Sequence, residues 1–385
     1  PTLLRESVEK IVVQECSHDE NGTLRQDIDN HYSFGGKVDL IVTPIAVMLA
    51  RKSGRPVRLE MSREDVFING NPRSPAVVEI KDGYKNDGTL VARKITEYIN
   101  GGAYSGHVTV LCNDGAFGAT GTYRVPHMTL DAYGVHTNTP STGPYRALGA
   151  ELLDFAIECH MDRAADALGI DQVEIRKKNL LVDGDIDANG QMTYNNASMD
   201  ALEKAAAYIE WGKDMRKENG PWVIAKGIAC GNKYTMSGST SSIIAKAHDD
   251  GTIEIRHYQI EMGQGCNTAL AAIAAEEFGI TPDRVKIVFD DSAFCPFDHG
   301  TFCSRGTFMN GNAVIKACRN LKKIVFDRAS EVMGIPADKL GTKNGEIYEL
   351  ANPENKCAYK ALFNNGGWVP EKGELLATAA YTYDE

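Results

Sequence analysis

Runs of basic residues are absent from this sequence, in which 41 Lys and Arg stand against 52 Asp and Glu, leaving a formal net charge of −11. Nucleic-acid binding needs clustered cations that neutralise phosphates, so we expect no nucleic-acid partner. Apolar runs of about 18 residues, long enough to span a membrane, are also absent. We therefore expect no membrane span, and residues 1–10 lack the apolar core of a secretory signal.

Cysteine pairs of the C-x-x-C type are absent as well. The nine cysteines are scattered, and the two closest, Cys295 and Cys303, are eight residues apart. A zinc or iron–sulfur site built by neighbouring cysteines is therefore not expected. Scattered cysteines in a long chain are typical of free thiols in a reducing compartment, and we expect a cytoplasmic protein.

Glycine, by contrast, is abundant, and many of the 37 glycines stand directly before helix-like stretches. In these stretches apolar residues recur with a period near 3.6, which is typical of amphipathic helices. The pattern predicts helices over residues 40–51, 151–168, 268–278 and 313–333. The glycine-rich turns that precede them are residues 31–37, 144–149, 261–265 and 300–307.

Alternating apolar and polar residues indicate strands between these helices. The predicted strands are residues 77–82, 94–100, 129–137, 242–248, 252–259 and 284–290. Turn signals within residues 77–100 favour a β-hairpin there. A charged stretch without periodicity, residues 211–222, predicts a boundary between two related halves. We therefore expect an α+β chain with an atypical N-terminal segment at 1–30, a first domain at 31–212 and a second at 213–385.

The glycine-rich turns also carry chemistry. A helix N-terminus offers unpaired N–H groups and the positive end of the helix dipole, and glycine lets an anion approach the backbone. One such turn is more often an ordinary turn, whereas four favour a large ligand with several polar groups. The pattern of nucleotide phosphate loops is absent, because Val38 follows Lys37 where Ser or Thr is required.

Three polar residues lie inside these turns, and each allows two interpretations. Arg146 and Arg305 are either solvated side chains or fixed forks for a carboxylate, phosphate or oxo group. Gln264, between two glycines, is either a surface turn residue or an amide suited to the edge of a heterocycle. The serine-hydrolase and zinc-peptidase patterns G-x-S-x-G and H-E-x-x-H are absent.

The glycine-rich segments, taken together, resemble the molybdenum-binding subunit of the xanthine dehydrogenase/aldehyde oxidoreductase family. The likeness covers about residues 31–320, and seven motifs occur in the family's order. They are Phe34-Gly35-Gly36-Lys37, Arg63-Glu64-Asp65, Gly101-Gly102-Ala103-Tyr104, Tyr123-Arg124-Val125-Pro126, Pro144-Tyr145-Arg146-Ala147-Leu148-Gly149, Glu261-Met262-Gly263-Gln264-Gly265 and Ser304-Arg305-Gly306-Thr307.

The resemblance implies two cofactor-binding domains of mixed sheets and helices, with a molybdenum-bearing molybdopterin cytosine dinucleotide between them. The metal is then held by the pterin dithiolene and not by side chains. The implied cofactor-binding residues are Phe34, Gly35, Gly36, Arg146, Gly263, Gln264, Gly265, Phe302, Cys303, Ser304 and Thr307. The implied catalytic residues are Phe34, Arg146, Leu148 and Asp114, and the pyrophosphate is expected at helix N-termini.

The implied reaction is the hydroxylation of an N-heterocycle or an aldehyde with water as the oxygen source. The [2Fe-2S] centres and FAD are expected on partner subunits, since this chain lacks the cysteine spacing for such clusters. The family's general-base glutamate is expected beyond residue 385, on a further chain or a C-terminal part absent from this sequence. Two alternatives stay open: a catalytically silent scaffold subunit, or an aromatic acyl-CoA reductase of the same family.

Some positions differ from the family's usual pattern. Tyr32 and Ser33 stand where two glycines are usual. Val38 and Asp114 occupy the positions of a Glu and an Arg found in purine-oxidising members, which argues against an ordinary xanthine dehydrogenase. Asp114 is interpreted either as a partner for a donor-rich substrate or as a solvated carboxylate. Leu148 stands where many members have an aromatic residue that stacks on the substrate.

Overall fold

The computed structural model describes residue 35 and residues 41–104, 106–120, 122–233, 239–289, 291, 293–363 and 373–383, with backbone alone at 11–12, 17–18 and 24–25. The chain forms two compact units, Pro1–Tyr234 and Thr235–Glu385. Tyr32, Ser33, Phe34, Gly36 and Val38 lie outside the described residues.

The described residues form eight α-helices and sixteen strands. The helices are α1 Thr43–Ser53, α2 Arg63–Asn69, α3 Val108–Thr120, α4 Ala150–Leu168, α5 Gln172–Asn179, α6 Ser198–Tyr208, α7 Cys266–Phe278 and α8 Gly311–Met333. The strands are β1 Ile11–Val12, β2 Ser17–His18, β3 Leu24–Arg25, β4 Arg58–Leu59, β5 Ala76–Tyr84, β6 Leu90–Gly102, β7 His127–His136, β8 Arg216–Asn219, β9 Trp222–Ala225, β10 Thr240–Ala247, β11 Ile253–His257, β12 Val285–Phe289, β13 Leu340–Lys343, β14 Glu346–Glu349, β15 Asn352–Ala358 and β16 Leu375–Thr382.

The main sheet of the first unit has the order β5-β6-β7. β5 and β6 form an antiparallel hairpin, which confirms the hairpin expected over residues 77–100, and β7 runs parallel to β6. Leu153, Ile157 and Met161, spaced four residues apart on α4, are buried in the core of this unit with Ile95 of β6. The apolar stripe that predicted the helix is thus the stripe that packs.

The second unit has a four-stranded sheet of order β12-β11-β10-β16. β10 pairs antiparallel with β11 and with β16, and β12 runs parallel to β11. Residues of β10 alternate between partly exposed and buried, so that Ile243 and Ala245 face the core. The long helix α8 contributes Val314 and Leu321 to the same core.

The two units share one order of elements. An antiparallel pair of strands is followed by a helix and a third strand parallel to the second, as β5-β6-α3-β7 and β10-β11-α7-β12. A longer helix then follows, α4 in the first unit and α8 in the second. The turns at 144–149 and 300–307 therefore precede equivalent helices, which supports the expectation of two related halves.

Helix α3 was not predicted, because its two glycines lower the apparent helix propensity. The structure shows why they are there. A Cβ at Gly118 would lie 2.7 Å from Cβ of Ala150, and one at Gly115 would lie 3.5 Å from the carbonyl oxygen of Gly149. The glycines let α3 lie directly against the start of α4, so packing outweighs propensity here.

Candidate functional site

The turn before α4 has an unusual backbone. Arg146, Ala147 and Leu148 have φ values of +27°, +84° and +55°, and Gly149, the N-cap of α4, has +93°. Three consecutive non-glycine residues in the left-handed region are costly, and such strain gathers at functional sites. The motif that resembles a cofactor loop therefore coincides with a strained segment of the first unit.

Neighbouring backbone encloses this turn on two sides. A Cβ at Gly149 would lie 2.6 Å from the carbonyl oxygen of Leu111 in α3, so only glycine fits. A Cβ at Gly35, whose φ is +97°, would lie 2.7 Å from the carbonyl oxygen of Pro144. The structure thus brings Gly35 against Pro144 and Tyr145, at the start of the 144–149 turn. It also places α3, the helix that carries half-buried Asp114, directly behind them.

A pair of charged side chains holds the same turn from the outside. Arg73 pairs with Glu151, and its Nη2 donates to the carbonyl oxygen of Arg146 at 3.1 Å. The guanidinium also lies over the ring of Tyr145, 5.3 Å from its centroid. The other carboxylate oxygen of Glu151 accepts from the backbone N–H of Gly149 at 2.9 Å. Tyr145, Arg146 and Gly149 are thereby tied to one ion pair.

Behind the turn lies a buried carboxyl group. Glu97 of β6 is fully buried, and neither of its carboxylate oxygens has a hydrogen-bond partner among the described residues. Burial, and secondarily the charge of Glu151, raises the pKa of Glu97 to about 7. A Cβ at Gly115 would lie 3.6 Å from Oε2 of Glu97. A titratable group thus lies within the packing that supports the turn.

In the second unit, the loop before α7 is shaped by Glu261. One carboxylate oxygen accepts from the N–H groups of Gly263 at 2.9 Å and Gly265 at 3.0 Å, and the other from the N–H of Asn267 at 3.1 Å. The amide of Gln264 folds back on the loop, since its Oε1 accepts from Met262 N at 2.6 Å. Its Nε2 donates to the carbonyl oxygen of residue 260 at 2.8 Å.

The loop before α8 also contains left-handed non-glycine residues, Cys303 at +47° and Ser304 at +58°. The next residue, Arg305, is fully buried. Its five N–H donors are used by Ser239 Oγ, Thr240 O, Ser241 Oγ, Asp298 Oδ1 and Gly300 O at 2.6 to 3.0 Å. The interpretation of Arg305 as a fork for a ligand is therefore wrong, because packing uses every donor inside the protein.

A threonine joins these two loops of the second unit. The backbone N–H of Ile260 donates to Thr301 Oγ1 at 3.1 Å, and the same hydroxyl donates to the carbonyl oxygen of Ile260 at 3.1 Å. A Cβ at Gly306 would lie 2.1 Å from Nε2 of Gln259. The segments that lead into the 261–265 loop and the 302–304 loop are thus joined at Ile260 and Thr301.

Buried polar atoms without partners lie below these loops. In the part of the chain that the structure describes, Nε2 of His257, Oε1 of Gln259 and Oδ1 of Asn310 have no hydrogen-bond partner, and the three residues are at most 1% exposed. Burial lowers the pKa of His257 to about 4, although Asn267, Asp298 and Glu261 act in the opposite direction. The imidazole is therefore neutral at physiological pH, and its Nδ1 accepts from the N–H of Gln259 at 3.1 Å.

Sequence reasoning did not single out the residues that hold these loops. Arg73 and Glu151 lie 78 positions apart, and Asp298 pairs with an arginine whose role was left open. Glu261 belongs to one of the seven motifs, but it precedes the N-cap Gly265 and so lies outside the capping-box pattern, in which the glutamate follows the N-cap.

A sequence profile described as a molybdopterin cofactor-binding domain matches residues 33–180, and a second profile of the same description matches residues 201–385. The chain belongs to the xanthine dehydrogenase/aldehyde oxidoreductase family. The family resemblance of the seven motifs is thereby confirmed, as is a mixed fold with two cofactor-binding domains. The placement of the individual cofactor and substrate residues stays a prediction.

Relatives in this family include the xanthine dehydrogenase molybdenum-binding subunit of Escherichia coli O157:H7. It is 30% identical over 355 residues, which are 89% of this chain and 47% of the relative. The aldehyde oxidoreductase of Megalodesulfovibrio gigas is 28% identical over 76% of this chain and 33% of its own length. The chain thus spans about half the length, or less, of these family members.

Among solved structures, quinoline 2-oxidoreductase from Pseudomonas putida 86 superposes with a TM-score of 0.81 at 19% identity. The match covers 97% of this chain and 54% of that one. At this identity the likeness establishes the family fold alone.

Within the described ranges, no cluster of three or more His, Cys, Asp or Glu side chains is arranged to hold a metal ion. In the same part of the chain, no helix combines the length and the apolar character needed to cross a bilayer. The eight described cysteines are free thiols, and Cys266 and Cys318 are buried.

The residues present fit a pterin group. A Cβ at Gly263 or Gly265 would have no atom of the described residues within 4 Å, so the exposed backbone of that loop is open to a flat ligand. In the first unit, the N–H groups of Ala147 and Leu148 have no acceptor among the described residues. Successive N–H groups in such a turn suit an oxo or anionic ligand atom.

Proposed function

We propose that this chain is the molybdopterin-binding part of a molybdenum hydroxylase, which hydroxylates an N-heterocycle or an aldehyde with oxygen from water. Electrons leave to partner subunits that carry [2Fe-2S] centres and FAD, and the cofactor is the cytosine dinucleotide form. The substrate class is supported by relatives whose names include a xanthine dehydrogenase and an aldehyde oxidoreductase. Absence of a membrane-crossing helix in the described residues is compatible with the cytoplasmic setting we propose.

The observation that carries this proposal is the coincidence of motif and strain. Five of the nine non-glycine residues with positive φ in the described chain lie in the two loops, at 146–148 and 303–304. These loops are also the ones whose sequences resemble the family's metal-facing segments. Backbone strain persists only where the surrounding structure imposes it. Here the buried Arg305 imposes it on the second loop, and the Arg73–Glu151 pair and close-packed Gly149 impose it on the first.

When bound, the molybdenum–pterin group supplies a hydroxyl oxygen and accepts an electron pair from the substrate carbon. The chain's own residues then have separate tasks. Gly263 and Gly265 present open backbone to the pterin, and the N–H groups of Ala147 and Leu148 donate to its oxo or anionic atoms. Arg146, whose carbonyl is fixed by Arg73, lines the metal-facing side with Gly35, and Leu148 and Asp114 contact the substrate.

The remaining predicted cofactor residues are assigned by their loops. Phe302, Cys303, Ser304 and Thr307 belong to the second unit's strained loop and to the π-helical turn that follows it, Gly306–Asn310. We propose that they approach the metal-bearing end of the cofactor. Phe34 and Gly36 flank Gly35 in sequence and keep their proposed roles, although they lie outside the described residues.

The test of this function is the molybdenum, iron and pterin content of the complex purified natively from its source, with intact masses of every chain that accompanies this one. Near-stoichiometric molybdenum with iron–sulfur and flavin chains supports the proposal, and the masses show which chain bears the general-base glutamate. An intact complex without molybdenum or pterin would instead identify this chain as a scaffold subunit.

A Gln264→Ala variant tests the binding loop directly. Its side chain bonds only to its own loop in this structure, so the substitution loosens the pterin-facing backbone without touching the core. We expect lower pterin content with an unchanged melting temperature. The matched control is Gln191→Ala, at an exposed position of the first unit. Equal pterin content in both variants would remove Gln264 from the binding site.

A further inference from the structure

Helix α7 begins without an ordinary cap. Its N-cap is Gly265, with φ of +80° and no side chain to accept from the first N–H groups of the helix. Such groups, left unpaired, form a site for an anion. A pyrophosphate was expected at helix N-termini of this kind. In the structure, the N–H groups at the N-terminus of α7 already have a hydrogen-bond acceptor within the chain.

The partner is the carboxylate of Glu261, which lies four residues before the N-cap. It accepts four hydrogen bonds, from Gly263 N, Gly265 N and Asn267 N at 2.9 to 3.1 Å and from Cys266 Sγ at 3.2 Å. Burial alone would raise the pKa of Glu261, but these hydrogen bonds outweigh it and lower the pKa. The carboxylate is therefore ionised and acts as an internal anion of the loop.

This arrangement decides the shape of the loop. Gly263 has φ of +93° and Gly265 has +80°, and both N–H groups turn inward to one carboxylate oxygen. The opposite faces of the two glycines are then left open, since a Cβ at either would meet no atom within 4 Å in the described ranges. The loop presents a smooth face for a ring and not an anion site.

The first unit repeats the device. The N-cap of α4 is Gly149, also left-handed, and its N–H donates to Oε2 of Glu151 at 2.9 Å. In both units, a glutamate carboxylate therefore takes the N–H of the glycine that begins the helix behind a candidate loop. The two cases do not come from one shared sequence motif, because Glu261 precedes its N-cap glycine whereas Glu151 follows its own.

We propose that Glu261 is a positioning residue for the pterin, filling the N-terminus of α7 so that Gly263, Gln264 and Gly265 keep their ring-binding shape. The proposal rests on the proposed function for the identity of the ligand. It also assigns the cofactor's phosphates to donors other than the N-terminus of α7, because that site is filled by the chain itself.

The test compares Glu261→Gln with a control variant, Glu276→Gln. Glu276 is an exposed glutamate within α7, and its substitution makes the same change of charge. In Glu261→Gln, an NH₂ group replaces one carboxylate oxygen. This group is a donor and cannot accept from the N–H groups that it faces, so part of the network is lost. Glu261→Asp is the second variant, which keeps the charge but is too short to reach all four donors. Each is produced as the full chain with its natural partner subunits.

Two quantities are measured: pterin bound per chain and hydrogen exchange of the amides of residues 260–268. We expect Glu261→Gln to exchange about tenfold faster at Gly263, Gly265 and Asn267, the equivalent of one lost hydrogen bond. Its pterin content should fall several-fold, Glu261→Asp should be intermediate, and Glu276→Gln should match the wild type.

Each outcome separates the two proposals. Faster exchange with undiminished pterin would overturn the positioning role and leave the proposed function standing. Unchanged exchange would overturn the internal-anion assignment itself. Wild-type protein without pterin would contradict the proposed function, while the exchange data would still decide whether Glu261 orders the loop. If Glu261→Gln does not fold, Glu261→Asp gives the same comparison.

Discussion

Nη1 of Arg305 donates to Oδ1 of Asp298 at 2.8 Å, and both side chains are fully buried. The same carboxylate accepts from the backbone N–H of Gly300 at 2.7 Å and from Ser241 Oγ. The pair is therefore a hub that ties the loop before α8 to strand β10. Its consequence is that Cys303 and Ser304 are held in a left-handed conformation that they would not adopt alone.

Replacement of Arg305 by methionine should destabilise the protein strongly. It leaves Asp298 as a buried charge without its cation, which typically costs about 3–5 kcal/mol. The control is Arg319→Met, because Arg319 is 65% exposed in its pair with Glu277 and should contribute less than about 1 kcal/mol. Urea denaturation of both variants measures the difference, and similar losses would contradict the hub.

The two glycines at the ends of α4, the N-cap Gly149 and the C-cap Gly169, should differ in their tolerance of alanine. Gly149 and Gly169 both have positive φ, but a Cβ at Gly169 would meet no atom within 4 Å, whereas one at Gly149 would lie 2.6 Å from Leu111 O. Gly169→Ala should cost about 1–2 kcal/mol from backbone strain alone. Gly149→Ala should cost clearly more and lower bound pterin. Equal melting temperatures would show that α3 can move away from the turn.

Stability should depend on pH through Glu97. Its pKa is raised from 4.5 to about 7, so the folded state binds more protons than the unfolded state between these values. The contribution of this group to stability is then fully present below about pH 4.5 and lost as pH rises through 7, by about 3 kcal/mol. Glu97→Gln should remove that loss.

Melting curves of Glu97→Gln and wild type at pH 5 and pH 8 measure this effect. The variant should be the more stable of the two at pH 8, and the difference should shrink at pH 5. The control is Glu79→Gln, an exposed glutamate of β5, which should leave the profile unchanged. A wild-type profile identical to that of Glu97→Gln would mean that the carboxyl group finds a partner in solution.

The Arg73–Glu151 pair should affect pterin binding more than stability. The side chains are 37% and 24% exposed, so their pairing adds less than about 1 kcal/mol to stability. Arg73→Ala and Glu151→Ala should each reduce pterin content, and the double variant should be little worse than either one. The control is the same set of alanine substitutions in the Arg124–Asp185 ion pair, in which Nη1 and Oδ2 are 3.4 Å apart. Additive losses would mean that the two side chains act separately on the turn.

The regular elements with strong periodicity could be predicted from the sequence. The stripe through Leu153, Ile157 and Met161 predicted α4 within one residue at its start, since the helix begins at Ala150. The helix predicted from residue 40 begins at Thr43, where Pro44 fits the first turn. The short or glycine-bearing helices were missed, because contacts with other elements and not their own propensity stabilise them.

The candidate site was predictable as a set of loops but not as a geometry. The motifs identified residues 144–149 and 263–265, yet the left-handed backbone at Arg146 and Ala147 is invisible in sequence, since isolated residues of these types avoid it. The sequence could not decide whether the Arg305 side chain binds a ligand or packs inside the protein. That decision depends on where Asp298 and Ser241 lie, and only long-range contacts determine their positions.

The sequence by itself determined the family, the α+β class and the glycine-rich loops, because motif order and apolar periodicity are properties of neighbouring residues. The tertiary structure alone decided which charged groups serve the loops. Arg73 reaches Arg146 and Glu151, and Asp298 binds Arg305, only after the strands and helices have packed. Hydrogen bonds and ion pairs depend on distances of a few ångströms, and folding, not sequence spacing, sets these distances.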